Sequence, residues 1–265
     1  MVRILTKPTF YMVFGVLILG SFFSGYADTP TNNSKWALSL GLAPTWQPEY
    51  PGSNQYEWTA TALYNLAYGN KFFVNPQGVG VNLITTPHVT FGTSVVYAKS
   101  NLYGEEFPGI DSSPYTYQET IFANYQLSLL TAGVSTNRTI GQLGGTGFYT
   151  SMLVLTLPLS QKFVCQMGVA GQYDDGRYMQ VQFGVTPQET VNSGISTYQV
   201  NKGWDNISYA VNTFYSVTKN WTIVGIFQGI RYVDQVASSP LIQNKNTYTI
   251  EIGLIYNFDK VPFLR

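Results

Sequence analysis

Thr247-Tyr-Thr-Ile-Glu-Ile-Gly-Leu-Ile-Tyr-Asn-Phe258 alternates with a period of two. Tyr248, Ile250, Ile252, Leu254, Tyr256 and Phe258 share one phase. Thr247, Thr249, Glu251, Gly253 and Asn257 share the other, where Ile255 is the one large apolar residue. Successive side chains of a strand point to opposite faces, so this pattern predicts a strand with one apolar and one polar face. It is about twice the usual length of roughly 5–6 residues. Aromatics sit at both ends of the apolar face, with aliphatics between. A tilted strand of about 9–11 residues crosses a bilayer, and aromatic girdles mark its two interfaces. The stretch therefore predicts a membrane-crossing strand with lipid on one side and a lumen on the other.

The composition agrees. The chain of 265 residues is 11% charged and 15% aromatic, with 20 Tyr and 25 Gly; a soluble domain carries about 25% charged residues. A mean hydropathy of −0.01 excludes a bundle of membrane helices, whereas alternating lipid-facing and lumen-facing residues average to such a value. At the N-terminus, Arg3 and Lys7 precede an apolar run from Phe10 to Phe23, and Gly25-Tyr26-Ala27 offers small residues at −3 and −1. This predicts a signal peptide over 1–27, with an uncleaved anchor as the alternative, and a barrel domain over 28–265. Basic and acidic residues balance at 14 each, and losing Arg3 and Lys7 leaves a slight acidic excess. Neither state favours nucleic acid. Cys165, the sole cysteine, shares its phase with Phe163, Met167 and Val169, as a small hydrophobe facing lipid would.

Working back from the final strand, the same rhythm recurs. Trp36–Gln47 and Tyr56–Tyr68 flank a loop at Pro48–Asn54, and Tyr68–Lys71 is a tight turn. Lys71–Ile84 reads as one long strand or as two, broken at Asn75-Pro76-Gln77-Gly78. Strands follow at Val89–Lys99, Gln118–Leu127, Leu130–Arg138, Phe148–Leu159, Lys162–Asp174, Asp205–Val217 and Trp221–Val233. Long connections lie at 100–117, 139–146, 175–203 and 234–246. Within the third, Thr186-Pro187-Gln188-Glu189 is a capping box with Pro at the first helical position, and Gly194 supplies a stop. We expect Pro187–Ser193 to be a short helix at the barrel mouth.

Bacterial outer-membrane barrels have even strand numbers, short periplasmic turns and long outer loops. Parity is met if Lys71–Ile84 is split. The expected fold is all-β, an antiparallel transmembrane barrel of about twelve strands, ten being the alternative, with a short helix in one long extracellular loop. The final strand runs inward and closes on Trp36–Gln47.

Chemistry is sparse. The single histidine, His88, falls in a Thr85-Thr86-Pro87-His88 turn at the periplasmic end, away from the long loops. No phosphate-binding glycine loop, Cys/His metal spacing or EF-hand loop occurs, so no cofactor, metal or catalytic residue is expected. Asp174-Asp175 reads as solvated loop rather than as a calcium site. Glu57, Lys162, Asp174, Arg231 and Glu251 fall on the lumen phase as counted from sequence. Of these, Glu57, Arg231 and Glu251 form the candidate polar cluster. It is either a set of structural ion pairs or a constriction that selects a small solute.

Several segments resemble the MltA-interacting protein (MipA/OmpV) family of Gram-negative outer-membrane proteins. They are Tyr50-Pro51-Gly52-Ser53, Phe72-Phe73, Gly78-Val79-Gly80-Val81-Asn82-Leu83, Phe183-Gly184-Val185-Thr186, Ser193-Gly194-Ile195, Tyr198, Ser239-Pro240-Leu241 and Gly253 to Phe258. The resemblance implies a non-catalytic barrel in the cell outer membrane. Its partners would be outer-membrane lipid and two periplasmic murein-remodelling enzymes, a lytic transglycosylase and a penicillin-binding protein, which it scaffolds. A narrow outer-membrane pore or solute-binding barrel is the alternative.

Overall fold

A computed structural model describes residues 36–99, 103–111, 115–140 and 147–259. The expected signal peptide and the tail after Asp259 lie outside them. Twelve strands close into one antiparallel barrel. They are β1 (Trp36–Pro48), β2 (Tyr56–Tyr68), β3 (Phe72–Asn75), β4 (Gly78–Thr85), β5 (Val89–Lys99), β6 (Tyr115–Leu127), β7 (Leu130–Ile140), β8 (Gly147–Pro158), β9 (Phe163–Asp174), β10 (Gly203–Ser216), β11 (Trp221–Tyr232) and β12 (Asn246–Phe258). The split at Asn75–Gly78 is real, and it sets the strand number at twelve. β12 pairs with β1 from Leu38↔Phe258 to Trp46↔Ile250, so the opening stretch is the closing strand.

The two-residue period explains the wall. Along β12, Tyr248, Ile250, Ile252 and Leu254 are exposed, while Thr247, Thr249, Glu251, Gly253 and Ile255 are buried. The exposed phase continues around the barrel through Leu42, Val81, Ile121, Val134, Leu153, Val169, Ile207 and Ile223. Met167 and Val169 are exposed beside half-buried Cys165, which shares their phase. Aromatic pairs flank this apolar belt. Trp36–Tyr68 and Trp221–Tyr256 lie at one rim with ring centroids 4.8 Å apart. Trp46–Tyr56 stacks at 4.1 Å near the other. Such belts place the barrel in a bilayer, and its antiparallel closed form places it in the outer membrane.

β3 and β4 are much shorter than their neighbours. β2 pairs with β3 only over Leu66–Tyr68, so Tyr56–Asn65 has a strand partner on the β1 side alone among the described residues. The connection expected as a long loop over 100–117 is shorter, since β6 begins at Tyr115, and it carries one helical turn, α1 (Tyr103–Glu106). The 175–203 excursion holds two helices. α3 (Pro187–Ser193) has the expected boundaries, capping box and left-handed Gly194. α2 (Gly176–Phe183) is additional to the sequence reading.

Candidate functional site: the capped end of the lumen

Long loops at one end of the barrel fold together into a cap with its own apolar core. Tyr50, Tyr103, Ile110, Met179, Phe183, Val185, Val200, Tyr232, Val236, Leu241 and Ile242 are buried in one cluster drawn from four loops and the end of β11. Polar contacts join the same loops. The Tyr103 hydroxyl donates to the Pro51 carbonyl at 2.9 Å, Ser239 to Phe183 at 2.7 Å, and Tyr198 to Gln235 at 2.7 Å. The amides of Gln243 and Asn244 both donate to the Gly52 carbonyl. Glu189 closes the α3 capping box by accepting from the Thr186 amide at 2.7 Å, and its other oxygen accepts the Asp111 amide at 3.0 Å. Burial holds the phenols of Tyr103 and Tyr178 well above the ordinary tyrosine range, so both are neutral donors at physiological pH.

Beneath the cap lies a cavity of about 40 Å³. Tyr103 and Pro51 face it from the loops, and Gln172, Asp205, Ser208 and Gln228 face it from β9, β10 and β11. Asp205 and Asp174 are 3% and 0% exposed. One side-chain amide, that of Gln172, donates to both carboxylates at 2.9 Å. Asp205 falls at a register shift between Trp204 and Asn206 in the β9–β10 pairing, without a ladder partner of its own and two residues along from Gly203, the partner of Asp174.

The sequence-predicted residues separate. Glu57 is on the inner face, where the Gln47 amide donates to it at 3.4 Å. Glu251 is also inside and 6% exposed, in register with Thr45 on one side and Ile226 on the other. Arg231 is not in the lumen. It is exposed on the outer phase of β11 with Ile223 and Phe227, and its partner in β12 is Asn246 rather than Glu251. β11 carries aliphatics on both phases, so alternation alone does not say which side faces lipid. The cluster therefore reduces to two acids on one wall, without the cation. Lys162 is exposed in the β8–β9 turn, also outside the lumen. Asp174 and Asp175 are not solvated loop either: Asp174 is buried, and Asp175 caps α2 by accepting from the Tyr178 amide at 2.7 Å. His88 is an exposed turn residue, its ring beside Tyr125.

Farther down the lumen the lining changes character. Ala43, Leu63, Phe214, Val224, Ile226 and Ile255 project inward from β1, β2, β10, β11 and β12 and form a second buried apolar cluster. Ile255, out of place in the sequence pattern, belongs to it.

The NanC porin is 11% identical over 84% of this chain and 100% of that structure, with a TM-score of 0.46. An anion-selective porin from Comamonas acidovorans is 9% identical over 84% and 100%, with a TM-score of 0.40. The MltA-interacting proteins of Escherichia coli (strain K12) and Shigella flexneri are each 25% identical over 91 residues. That stretch is 34% of this chain, and it spans only 36% of the length of those relatives. The family model described as MltA-interacting protein MipA matches residues 40–258, nearly the whole barrel. The chain belongs to the MipA family of MltA-interacting proteins.

Proposed function

We propose that this barrel is a non-catalytic scaffold that holds murein-remodelling enzymes, a lytic transglycosylase and a penicillin-binding protein, at the inner surface of the outer membrane. The observation that carries the reading is how the interior is filled. The cap has its own hydrophobic core over the upper lumen, and an apolar cluster occupies one wall below it. Pores conduct through water-filled interiors, whereas the inward polar residues here, among them Gln118, Thr120, Asn137, Gln166 and Asn212, are themselves packed to 9% exposure or less. The family name adds support, since relatives are named for an interaction with MltA. The surface available to a periplasmic protein is the rim bearing the short turns and the ends of β1 and β12.

Planar-bilayer recording of the purified barrel tests the first half: no stable conductance is expected, and steady single-channel steps would overturn it. Crosslinking in intact envelopes followed by pull-down tests the second half. Recovery of a murein hydrolase or synthase is expected, and recovery of neither would remove the scaffold reading. The solute-binding alternative is favoured by a different observation, the cavity beneath the cap.

A further inference from the structure

Two carboxyl groups meet under the cap. Asp174 ends β9 and Asp205 lies near the start of β10, so they stand at the two feet of the 175–203 excursion. Both are buried. The side-chain amide of Gln172 donates to one oxygen of each. The two carboxyls also hydrogen-bond each other, and Asn206 bonds Asp205. A carboxylate only accepts, so a bond between the two needs one of them to be protonated. The other groups that face the pair are Asp175 and Tyr178 of α2, Tyr103 of α1 and Tyr232 of β11. These are acids and phenols, whereas every Lys and Arg whose side chain is described is exposed. Both feet are also tied to cap backbone. The Asp205 carbonyl accepts the Val233 amide at 3.0 Å, where the 233–245 loop leaves β11. Asp175, next to Asp174, caps α2.

We propose that Asp174 and Asp205 form a pH-operated clasp, which holds the cap on the barrel while the pair shares a proton and releases it when that proton is lost. Two carboxylates in contact cannot both ionise unless water or a cation reaches them. Water reaches this pair only when the cap opens. Asp174 lies one residue beyond Tyr149, Tyr173 and Trp204, which are in register across β8, β9 and β10. Tyr149 and Trp204 are exposed at the outer interface, so Asp174 titrates beneath the cap and outside the hydrocarbon. Burial, and then the Asp205 charge, push its carboxyl up to about 9. A carboxyl raised in the folded state keeps its proton where the released one has lost it. The clasp is therefore at full strength below the ordinary carboxyl value of about 4 and weakens as pH rises. Its contribution is gone once pH passes the folded value of about 9. Between these limits, opening becomes up to about tenfold easier per pH unit. This inference does not rest on the scaffold reading, which concerns the opposite rim.

The test is hydrogen exchange of the full-length purified barrel in detergent from about pH 5 to about pH 8, with each rate referred to that of the unfolded chain at the same pH. Folding is checked by the heat-modifiable shift in gel mobility. In the native protein, protection of residues 176–198 and 233–245 is expected to fall at least about tenfold over this range, while β6 and β7 keep theirs. Asp174→Asn retains an N–H donor toward Asp205 and cannot titrate, so its cap protection is expected to stay level. Constant protection of the native cap overturns the proposal. So does an undiminished fall in folded Asp174→Asn, or an equal fall in β6 and β7. Should Asp174→Asn fail to fold, infrared difference spectroscopy of the native protein decides. A protonated carboxyl band that persists at about pH 8 and is lost by about pH 10 is expected, and its absence overturns the clasp.

Discussion

The two ends of this barrel are held together by different physics. At the short-turn end, connections of a few residues close strand pairs through local hydrogen bonds. Ser160 accepts from the amides of Lys162 and Phe163, and Thr218 does the same for Asn220 and Trp221. At the other end, four longer connections leave the sheet and, with Tyr232 at the end of β11, bury eleven residues in a common core. The first end needs the bilayer and the sheet. The second is a small folded unit outside the hydrocarbon, stabilised by water-driven burial as in a soluble domain. A substitution in the cap should therefore loosen the loops and leave the barrel folded, while one in a turn should do little to either.

The largest separation should come from Met179→Asp. Met179 is 0% exposed in the middle of the cap core, and an unpaired buried carboxylate costs about 3 kcal/mol or more. The expected result is rapid trypsin cleavage at Arg177, Lys202 and Lys245, while the strands keep their heat-modifiable mobility. Loss of the barrel as well would mean that the cap is not a separate unit. Next comes Gly52→Val. Gly52 sits at φ +80, and an added Cβ would collide with Ile242 Cδ1 in the facing loop. The left-handed backbone and the overpacking together should cost roughly 2–4 kcal/mol, read as earlier proteolysis of the 233–245 loop. Glu189→Ala should follow, at about 1–2 kcal/mol. It removes the capping-box acceptor and releases the Asp111 amide. Hydrogen exchange is expected to rise in both α3 and residues 107–111; a rise in α3 alone would show that the link to Asp111 carries no weight.

The same contrast governs how much of the molecule is legible in the sequence. The strands are legible because one face meets lipid, and a two-residue period sustained over a dozen residues fits no other regular backbone. Strand phase is legible only where the two faces differ chemically. β12 has threonines and a glutamate opposite its aliphatics. β11 has Ile223 and Phe227 on one face and Val224, Ile226 and Ile230 on the other, so periodicity puts Arg231 on the wrong side. The α3 helix can be read from four residues, because a capping box is local chemistry. The α2 helix cannot: its cap is Asp175, within an acidic pair that also reads as loop, and no proline or capping box marks its start. Asp205 escapes a sequence reading because its role depends on meeting Asp174 across an excursion of nearly thirty residues, at a register shift that strand periodicity does not encode. The family resemblance, by contrast, is carried about equally by cap residues and by strand residues of β3, β4 and β12. Tyr50, Phe183, Val185 and Leu241 are in the cap core, and Thr186, Gly194 and Ser239 fix its backbone.

The smallest effect should fall at the inner rim. Lys219 and Asp259 form an ion pair of 2.9 Å between the β10–β11 turn and the residue after β12, with side chains 75% and 56% exposed. Hydrogen bonding to Lys219 and its charge hold the Asp259 carboxyl below its ordinary range. A depressed carboxylate stabilises the fold above its unfolded pKa and loses that contribution as pH falls through the folded value. Exposed pairs, however, gain little against water and are screened by salt. Lys219→Ala should therefore leave the unfolding midpoint within error at neutral pH, with or without added salt. Nearby, the Asn220 side-chain amide donates to the Asn257 carbonyl at 2.8 Å, and the Asn257 amide donates to the Asn220 carbonyl at 2.7 Å. These contacts hold the turn against β12 without the ion pair. If Lys219→Ala instead lowered the midpoint as far as Glu189→Ala does, the inner rim would depend on its charges, and the division between a folded cap and a sheet-supported rim would fail.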